Sequence, residues 1–201
     1  MIRESIGPAM RATLVTLVLT GLAYPLVTTA AAQVLFPAKA NGSMLKDEAG
    51  SVIGSELLSQ SVSAASYFQP RPSAAGDKGY DAASSGGSNY GPTSKKLHDR
   101  AAAEVERLLK ENPEAPRMVP AELATASGSG LDPHLSPEGA LWQAPRIAKA
   151  RNVAPERVLA VLQDNLEGRE LGILGEPRVN VLVLNLALDR KFGKPLLPAA
   201  K

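Results

Sequence analysis

The 201 residues of the sequence are enough for one domain and a small appendage. The 22 Lys and Arg residues nearly balance the 20 Asp and Glu residues, and aromatic residues make up only 4% of the chain. This argues against nucleic-acid binding, which needs a basic face or stacking aromatic side chains. The chain has no cysteine and only two histidines, His98 and His134, which excludes disulfides, cysteine nucleophiles and histidine-rich metal sites.

The first predicted element is a membrane helix over residues 12–36, a segment without any charged residue. A helix of that length measures ~37 Å, which exceeds the hydrocarbon core of about 30 Å. Gly21 and Pro25 lie inside it, and both residue types are tolerated in membrane helices. We therefore expect a short cytoplasmic N-terminus over 1–11 and an extracytoplasmic domain over 37–201, because a long domain is exported largely regardless of its charge.

A cleaved secretory signal is the alternative interpretation of the same segment. Arg3 and Arg11 would form its basic region, and the alanines at 30–32 offer small residues for cleavage. The apolar run is longer than in a signal sequence, however, and it resumes at residues 34–36. These features favour an uncleaved membrane anchor.

The domain that follows is predicted to begin with a β-hairpin and a long loop. Short apolar runs at 43–46 and 51–58 flank a turn in which Gly50 supplies the positive φ. Residues 59–93 are rich in Ser, Ala, Gly and Pro and show no sustained period. We interpret this stretch as a long ordered or semi-ordered loop; such loops are uncommon within compact domains and are usually functional or disordered.

A helix is predicted after this loop, since apolar residues recur on one helical face: Leu97, Ala101, Val105, Leu108 and Leu109. Thr93 or Ser94 can cap its start, and Asn112-Pro113 ends it.

Two more helices follow a second loop over residues 125–137. The first begins at Ser136, and Pro145 predicts a kink or break in it near Gln143. Trp142, on the same helix, is expected in the core. The second helix begins at Pro155.

The last predicted elements are a strand favoured by Val179, Val181 and Val183 and a helix that could begin near Leu184, with an open boundary between them. These elements together predict an α+β domain.

The glycine-rich segment "SSGGSNYGPTS", residues 84–94, has part of the pattern of a phosphate-binding loop. Gly86 and Gly91 have the spacing of a P-loop, but Pro92 stands where that motif requires lysine. Proline also removes a backbone N–H that a phosphate would use. We interpret the segment as a rigid turn that begins a helix and presents backbone to a partner.

A second cluster, Ser127, Ser129, Asp132 and His134, suggests serine hydrolysis. The nucleophile motif needs glycine two residues before the serine, and Ser127 occupies that place. The simpler interpretation is a glycine-rich turn in which Asp132 bonds its own backbone. Metal binding is not indicated, because the histidines lack acidic partners at ligand spacing. A membrane-tethered hydrolase or small-ligand binder is the alternative function; in that case Ser129→Ala or His134→Ala would abolish the activity.

Tyr67 and Phe68 precede Arg71, which stands between two prolines. Two adjacent aromatic residues of an extended chain cannot face the same side, so we expect one of them to point outward at an interface.

Several long motifs carry a resemblance to a known family. They are "YFQPRPSAA", "SGGSNYGPTS", "VPAELATASGSGLDPHLSPEGALWQAPRIAKAR" and "LGEPRVNVLVLNLALD". Together with the N-terminal span, they resemble the KdpC family, the C subunit of the bacterial Kdp potassium-transporting P-type ATPase, over almost the whole chain to about residue 190. Tyr90 departs from the family pattern, in which an aliphatic residue is expected.

The resemblance implies a non-catalytic accessory subunit of the bacterial inner membrane. Its partners would be a potassium-pathway subunit and a P-type subunit that hydrolyses ATP, and it would be required for assembly. The family is also described as a catalytic chaperone that raises the ATP affinity of the hydrolysing subunit. No cofactor of its own is expected, and ATP enters only through the resemblance.

Small residues of the membrane helix, Ala12, Thr16, Thr20 and Ala23, would allow close packing against partner helices. The candidate partner contacts in the domain are Tyr67, Phe68, Arg71, Ser88, Asn89, Gly91, Pro92, Thr93, Ser129 and Asp132.

Overall fold

A computed structural model describes residues 2–47 and 50–195. The chain divides between Ile53 and Gly54 into two compact units. The elements of the first unit are α1 (Ile2–Val18), a π-helical turn (Leu19–Ala23), α2 (Tyr24–Leu35), α3 (Pro37–Ala40) and β1 (Met44–Lys46), and β2 (Val52–Ser55) begins in it.

The N-terminal helix contains the predicted membrane segment. Its Glu4–Leu35 portion is long and apolar enough to cross a membrane, by length and composition. The helix begins ten residues earlier than predicted, and Phe36, with φ −140°, ends it. The π-turn lies just before Pro25: here the N–H of Tyr24 donates to the carbonyl of Leu19, five residues back. Gly21 and Pro25 therefore change the local hydrogen bonding without ending the helix.

The predicted hairpin is present. Strands β1 and β2 form a two-stranded sheet, and Gly50 has the expected positive φ of 82°. Its N–H donates to the carbonyl of Asp47 at 3.0 Å. The second strand ends at Ser55 and is shorter than the predicted run to residue 58.

The second unit mixes helices with short strands, as predicted. Its elements are α4 (Lys95–Glu111), α5 (Ala121–Ala124), β3 (His134–Leu135), α6 (Pro137–Arg151), α7 (Pro155–Asp164), β4 (Val179–Asn180) and α8 (Val181–Phe192). Strands β3 and β4 pair antiparallel, with His134 opposite Asn180. The core lies among α6, α7, α8 and the loop that contains Phe68. Its most deeply buried members include Phe68, Leu135, Ile147, Val158, Leu162, Val179, Leu184 and Leu188.

The predicted starts of α4 and α6 and the predicted end of α4 are confirmed. Ser94 precedes α4, although its side chain makes no capping bond. Asn112 ends that helix, and its amide donates to the carbonyl of Leu108 at 2.8 Å. At the start of α6, the hydroxyl of Ser136 accepts from the N–H of Gly139 at 3.0 Å.

The predicted break at Pro145 is wrong, because α6 continues to Arg151. An interior proline costs about 3 kcal/mol. Burial of one large aliphatic side chain contributes about 1.5–3 kcal/mol, and the helix buries Trp142 before the proline and Ile147 after it. Packing on both sides of Pro145 therefore outweighs the lost hydrogen bond. The expectation that Trp142 lies in the core is confirmed, since it is 5% exposed.

The strand predicted through Val183 is wrong in its extent. The strand ends at Asn180, whose side-chain oxygen accepts from the N–H of Val183 at 3.1 Å and caps α8. Leu184 and Leu188, one helical turn apart, are both completely buried. The cap and this burial at helical spacing override the strand preference of the valines.

Residues 59–93 contain no helix or strand, as predicted, but one part of them is firmly held. We call residues 65–69 the anchored segment. Its consecutive carbonyls each accept a hydrogen bond from a side chain of α6 or α8 at 2.8–3.2 Å; the donors, in order, are Arg146, Arg151, Arg146, Asn185 and Gln143. Asn185 and Gln143 also accept from the N–H groups of Phe68 and Gln69. Side chains thus replace the partner strand that this segment lacks.

Arg146 is a buried charged residue among these donors, with 7% of its surface exposed. Besides the carbonyls of Ala65 and Tyr67, its guanidinium bonds the side-chain oxygens of Asn112 and Gln143 at 2.9 Å. Burial lowers the pKa of Arg146 to about 10, so the group is charged at neutral pH.

We expect Arg146→Met to lower the free energy of unfolding by about 3 kcal/mol or more, because buried acceptors lose their donor. Lys149→Met, on the same helix, should cost at most about 1 kcal/mol, since its ion pair with Glu114 is exposed. Urea unfolding of the full-length chain in detergent, followed by the fluorescence of the single tryptophan, measures both values. Equal losses in the two variants would contradict the anchoring role of Arg146.

Candidate functional site

The two glycine- and serine-rich motifs of the sequence meet in one place, which we call the loop junction (residues 84–87 and 127–132). The N–H of Gly86 donates to the carbonyl of Ser129 at 2.8 Å, and the hydroxyl of Ser85 donates to the same carbonyl at 3.0 Å. A Cβ on Gly87 would lie 3.0 Å from the carbonyl oxygen of Gly128. The backbones therefore approach too closely for ordinary side chains between them.

A third segment, the one that follows the anchored segment, completes the junction. The carbonyl of Pro72 accepts from the N–H of Ser127 at 3.1 Å. The hydroxyl of Ser73 donates to the carbonyl of Gly130 at 2.6 Å and accepts from the N–H groups of Ala75 and Tyr80. The single hydroxyl of Ser73 thus links two loops and closes a turn.

Gly130 is the most constrained glycine of the junction. Its φ is +69°, and an added Cβ would lie 2.5 Å from the carbonyl oxygen of Gly86 and 2.8 Å from the Cβ of Ala75. Gly128, two residues earlier, has an ordinary φ and open space around its Cβ position. Glycine is therefore structurally required at position 130 and not at position 128.

Charged residues lie at one end of the junction. The guanidinium of Arg71 contacts the carboxylate of Asp132 at 3.1 Å, and the other carboxylate oxygen accepts from the N–H of His134 at 3.0 Å. The predicted bonding of Asp132 to its own backbone is confirmed by this second bond. The imidazole and N–H of His134, together with Arg71, lower the pKa of Asp132 against the opposing effect of burial.

Arg71 is held on both sides but keeps one donor free. Its carbonyl accepts from the hydroxyl of Tyr80 at 2.9 Å, and burial, with a smaller effect of Glu104, raises the pKa of Tyr80 to about 12. The buried Nε of Arg71 has no hydrogen-bond partner among the described residues. Arg71 thus forms a half-buried ion pair at the edge of a shallow groove, and its contact with a partner stays a prediction.

The geometry does not assemble a serine nucleophile. The hydroxyl of Ser129 accepts from the N–H of Leu131 at 3.1 Å and lies 3.3 Å from the hydroxyl of Ser127. The imidazole of His134 faces carboxylates instead, at 3.7 Å from Asp132 and 4.0 Å from Glu167. Within residues 2–47 and 50–195, no group of three or more His, Cys, Asp or Glu residues could hold a metal ion. The polar groups of the junction serve its own structure.

Among the predicted contacts, Phe68 requires a correction. It is completely buried in the core, so it presents no surface to a partner. Tyr67 is partly buried: its hydroxyl donates to Asp189 at 2.8 Å, and the guanidinium of Arg151 lies 4.8 Å from its ring centre. Burial, followed by Asp189, raises the pKa of Tyr67 to about 12. Tyr67 is therefore the member of the pair that keeps an accessible surface, and its contact with a partner stays a prediction.

The segment 88–93 lies at the surface just before α4. Asn89, Gly91, Pro92 and Thr93 are exposed, and Ser88 is partly buried. Asn89 has a positive φ of 52°, as expected for a turn residue that tolerates this conformation. Of the predicted contacts, this segment is the one that presents a continuous accessible surface, and the unusual Tyr90 lies within it at 41% exposure.

One feature had no counterpart in the sequence predictions. Residues 166–178 form a hairpin with isolated antiparallel bridges between Glu167 and Arg178 and between Glu170 and Leu174. Its end exposes Leu171 and Ile173 almost completely. In the sequence, this hairpin is indicated only by the apolar residues Ile173 and Leu174 between Gly172 and Gly175. The surrounding residues show neither helical nor strand periodicity.

Comparison with known proteins gives a consistent result over the whole chain. The family model described as "KdpC: K+-transporting ATPase, c chain" matches residues 6–190. A potassium-transporting ATPase KdpC subunit from Myxococcus xanthus is 65% identical over 192 residues, which cover 96% of this chain and 90% of that protein. KdpC subunits from Rhodospirillum rubrum and Bradyrhizobium diazoefficiens are 51% and 52% identical and cover 94% and 96% of this chain and 97% and 100% of their own lengths.

We expect Gly130→Ala to lower the free energy of unfolding by about 2 to 4 kcal/mol, through a strained φ and a clash with the 84–87 loop. Gly128→Ala is the matched control and should change it by at most about 1 kcal/mol. Chemical unfolding of the two full-length variants in detergent gives the comparison. Similar values for both variants would show that the junction is not closely packed.

Proposed function

Because the chain belongs to the KdpC family of K+-transporting ATPase c chains, we propose that it is a non-catalytic accessory subunit of an ATP-driven potassium uptake complex. The observation that carries this proposal is the match over nearly the full length, from residue 6 to residue 190. The match includes both the N-terminal helix and the loop junction, so the similarity extends over residues 6–190 and is not limited to one shared domain.

The proposed location is the bacterial inner membrane, crossed once by the N-terminal helix. The N-terminus would be cytoplasmic and the domain extracytoplasmic. Supporting this, the Glu4–Leu35 helix has suitable length and apolarity. Its threonines also bond within the helix: the hydroxyl of Thr20 donates to the carbonyl of Thr16 at 2.7 Å, and that of Thr28 to the carbonyl of Tyr24 at 2.9 Å. Internal bonds of this kind are required where no water is present.

The proposed role is assembly and stabilisation of the complex through surface contacts. The partners would be the potassium-pathway subunit and the ATP-hydrolysing subunit. The polar groups of the loop junction bond one another, and Ser129 and His134 do not pair. An arrangement of this kind supports a rigid docking surface and gives no support to the alternative of a tethered hydrolase.

The effect on ATP affinity that the resemblance implies would be indirect in this arrangement. An extracytoplasmic domain does not meet cytoplasmic nucleotide, so the subunit would act by favouring one state of its membrane partners. Such an effect needs different contact energies in the two states of the partner and no nucleotide site on this chain.

The first test is affinity purification of the C-terminally tagged full-length chain from detergent-solubilised membranes of potassium-starved cells. We expect a P-type ATPase subunit and a larger channel-like subunit in the eluate, identified by mass spectrometry. The eluate should show potassium-stimulated ATP hydrolysis, and the purified chain alone should show none. A chain that elutes alone under mild detergent would overturn the proposal.

The second test concerns topology and uses the natural absence of cysteine. Thr93→Cys, in the exposed segment before α4, should react with a membrane-impermeant maleimide added to intact spheroplasts. Gly7→Cys is the matched control on the other side and should react only after permeabilisation. The opposite pattern would reverse the orientation, and an intact mass without the first thirty residues would indicate a cleaved signal.

A further inference from the structure

The hairpin at 166–178 ends in a small apolar surface, which we call the apolar tip. It consists of Leu171, Ile173 and Leu174, whose exposed fractions are 88%, 74% and 57%. These large aliphatic residues lie within four positions and make up one protruding patch. Side chains so exposed add little to the stability of their own domain, and such patches commonly mark interaction sites.

The stem of the hairpin gives the tip a defined shape. Backbone bonds join Glu167 and Arg178 in both directions, at 2.8 and 3.0 Å, and the N–H of Glu170 donates to the carbonyl of Leu174 at 2.9 Å. Ion pairs cross the same stem: Arg178 contacts Glu167 at 2.9 Å and Glu170 at 3.0 Å. Near the end, Arg169 contacts Glu176 at 2.6 Å. The tip is thus presented by a braced hairpin.

The backbone at the tip is strained. Leu171 has a φ of +53°, in the left-handed region that a leucine rarely adopts. Gly172 and Gly175 have φ values of +78° and +74°, which glycine adopts freely. The leucine gains no burial within its own domain in return. Strain of this kind is expected where the outward side chain contacts something outside the chain.

The charges of the hairpin favour a protein over a lipid surface as the occupant. The stem carries Glu167, Glu170 and Glu176, and both of its arginines, Arg169 and Arg178, are engaged in ion pairs. Interfacial membrane anchors use Lys or Arg toward anionic head groups and Trp or Tyr at the interface. The hairpin has an excess of one negative charge and no lysine, tryptophan or tyrosine. Protein interfaces, in contrast, commonly surround an apolar centre with a polar rim.

We propose that the apolar tip inserts into an apolar socket, with basic or hydrogen-bond-donating groups at its rim, on a membrane-embedded subunit of the potassium-pump complex. This inference rests on the proposed function and identifies the surface through which the subunit docks. The aliphatic side chains fill the socket, and the stem, in which Arg178 is shared by Glu167 and Glu170, presents its one excess negative charge to the rim. The strained conformation of Leu171 places its side chain at the most forward point.

The quantitative test is displacement of labelled wild-type chain from the complex of the other subunits, in detergent. The double variant Leu171→Asp/Ile173→Asp should require roughly 10- to 100-fold more chain for half displacement. Aspartate tolerates the left-handed conformation, so the hairpin should retain its fold. The matched control is Met118→Asp, which changes an 86% exposed residue outside the hairpin and should displace like wild type. Unchanged displacement by the double variant overturns the inference, as does an equal loss in Met118→Asp.

The second measurement identifies the occupant. Leu171→Cys, labelled with a benzophenone maleimide before assembly with the other subunits, should cross-link on illumination to a membrane-embedded pump subunit. Cross-links only to lipid, or only to a second copy of this chain, overturn the docking inference. Failure of the wild-type chain to co-purify with an ATPase would overturn the proposed function itself. Failure of cross-linking within an intact, co-purified complex would overturn the docking inference alone.

Discussion

The interaction on which the domain depends is the capture of the anchored segment by side chains of α6 and α8. Five consecutive carbonyls, from residue 65 to residue 69, accept bonds from two arginines, an asparagine and a glutamine. A chain without a neighbouring strand would otherwise bury unsatisfied carbonyls at a cost of about 1–3 kcal/mol each. With these donors the segment can be buried, and Phe68 enters the core beside it. The aromatic ring and the arginines are therefore parts of one arrangement.

The loop junction follows from this capture, because the anchored segment leads directly into Arg71, Pro72 and Ser73. The carbonyl of Pro72 and the hydroxyl of Ser73 then hold the 127–132 loop, and that loop holds Gly86. Polar groups of these glycine-rich loops bond to one another both within the 127–132 loop and between the loops. The many glycines of these loops are explained by the close approach of their backbones. Neither phosphate binding nor a serine nucleophile is needed to explain them.

The sequence predicts those features that depend on neighbouring residues and misses those that depend on distant ones. The start of α6 at its Ser136 cap and the turn at Gly50 follow from residues within a few positions, and α4 follows from its apolar spacing. The continuity of α6 through Pro145 and the early start of α8 depend on burial against other elements, which no local pattern reports. The surface contact predicted for Phe68 is wrong for the same reason. Its backbone N–H bonds Asn185, which lies more than one hundred positions away in the sequence. The hairpin at 166–178 is not predicted, because the ion pairs between its two arms leave no periodic pattern in the sequence.

The loop junction and the apolar tip are connected through the short β3–β4 pair. Strand β3 begins two residues after Asp132, and β4 begins directly after Arg178 at the base of the hairpin stem. The imidazole of His134, on β3, also faces Glu167 of the stem at 4.0 Å. Val179 and Leu135, opposite each other in this pair, are buried and fix its position on the core. A contact at the tip would reach the junction through this paired backbone and these buried side chains.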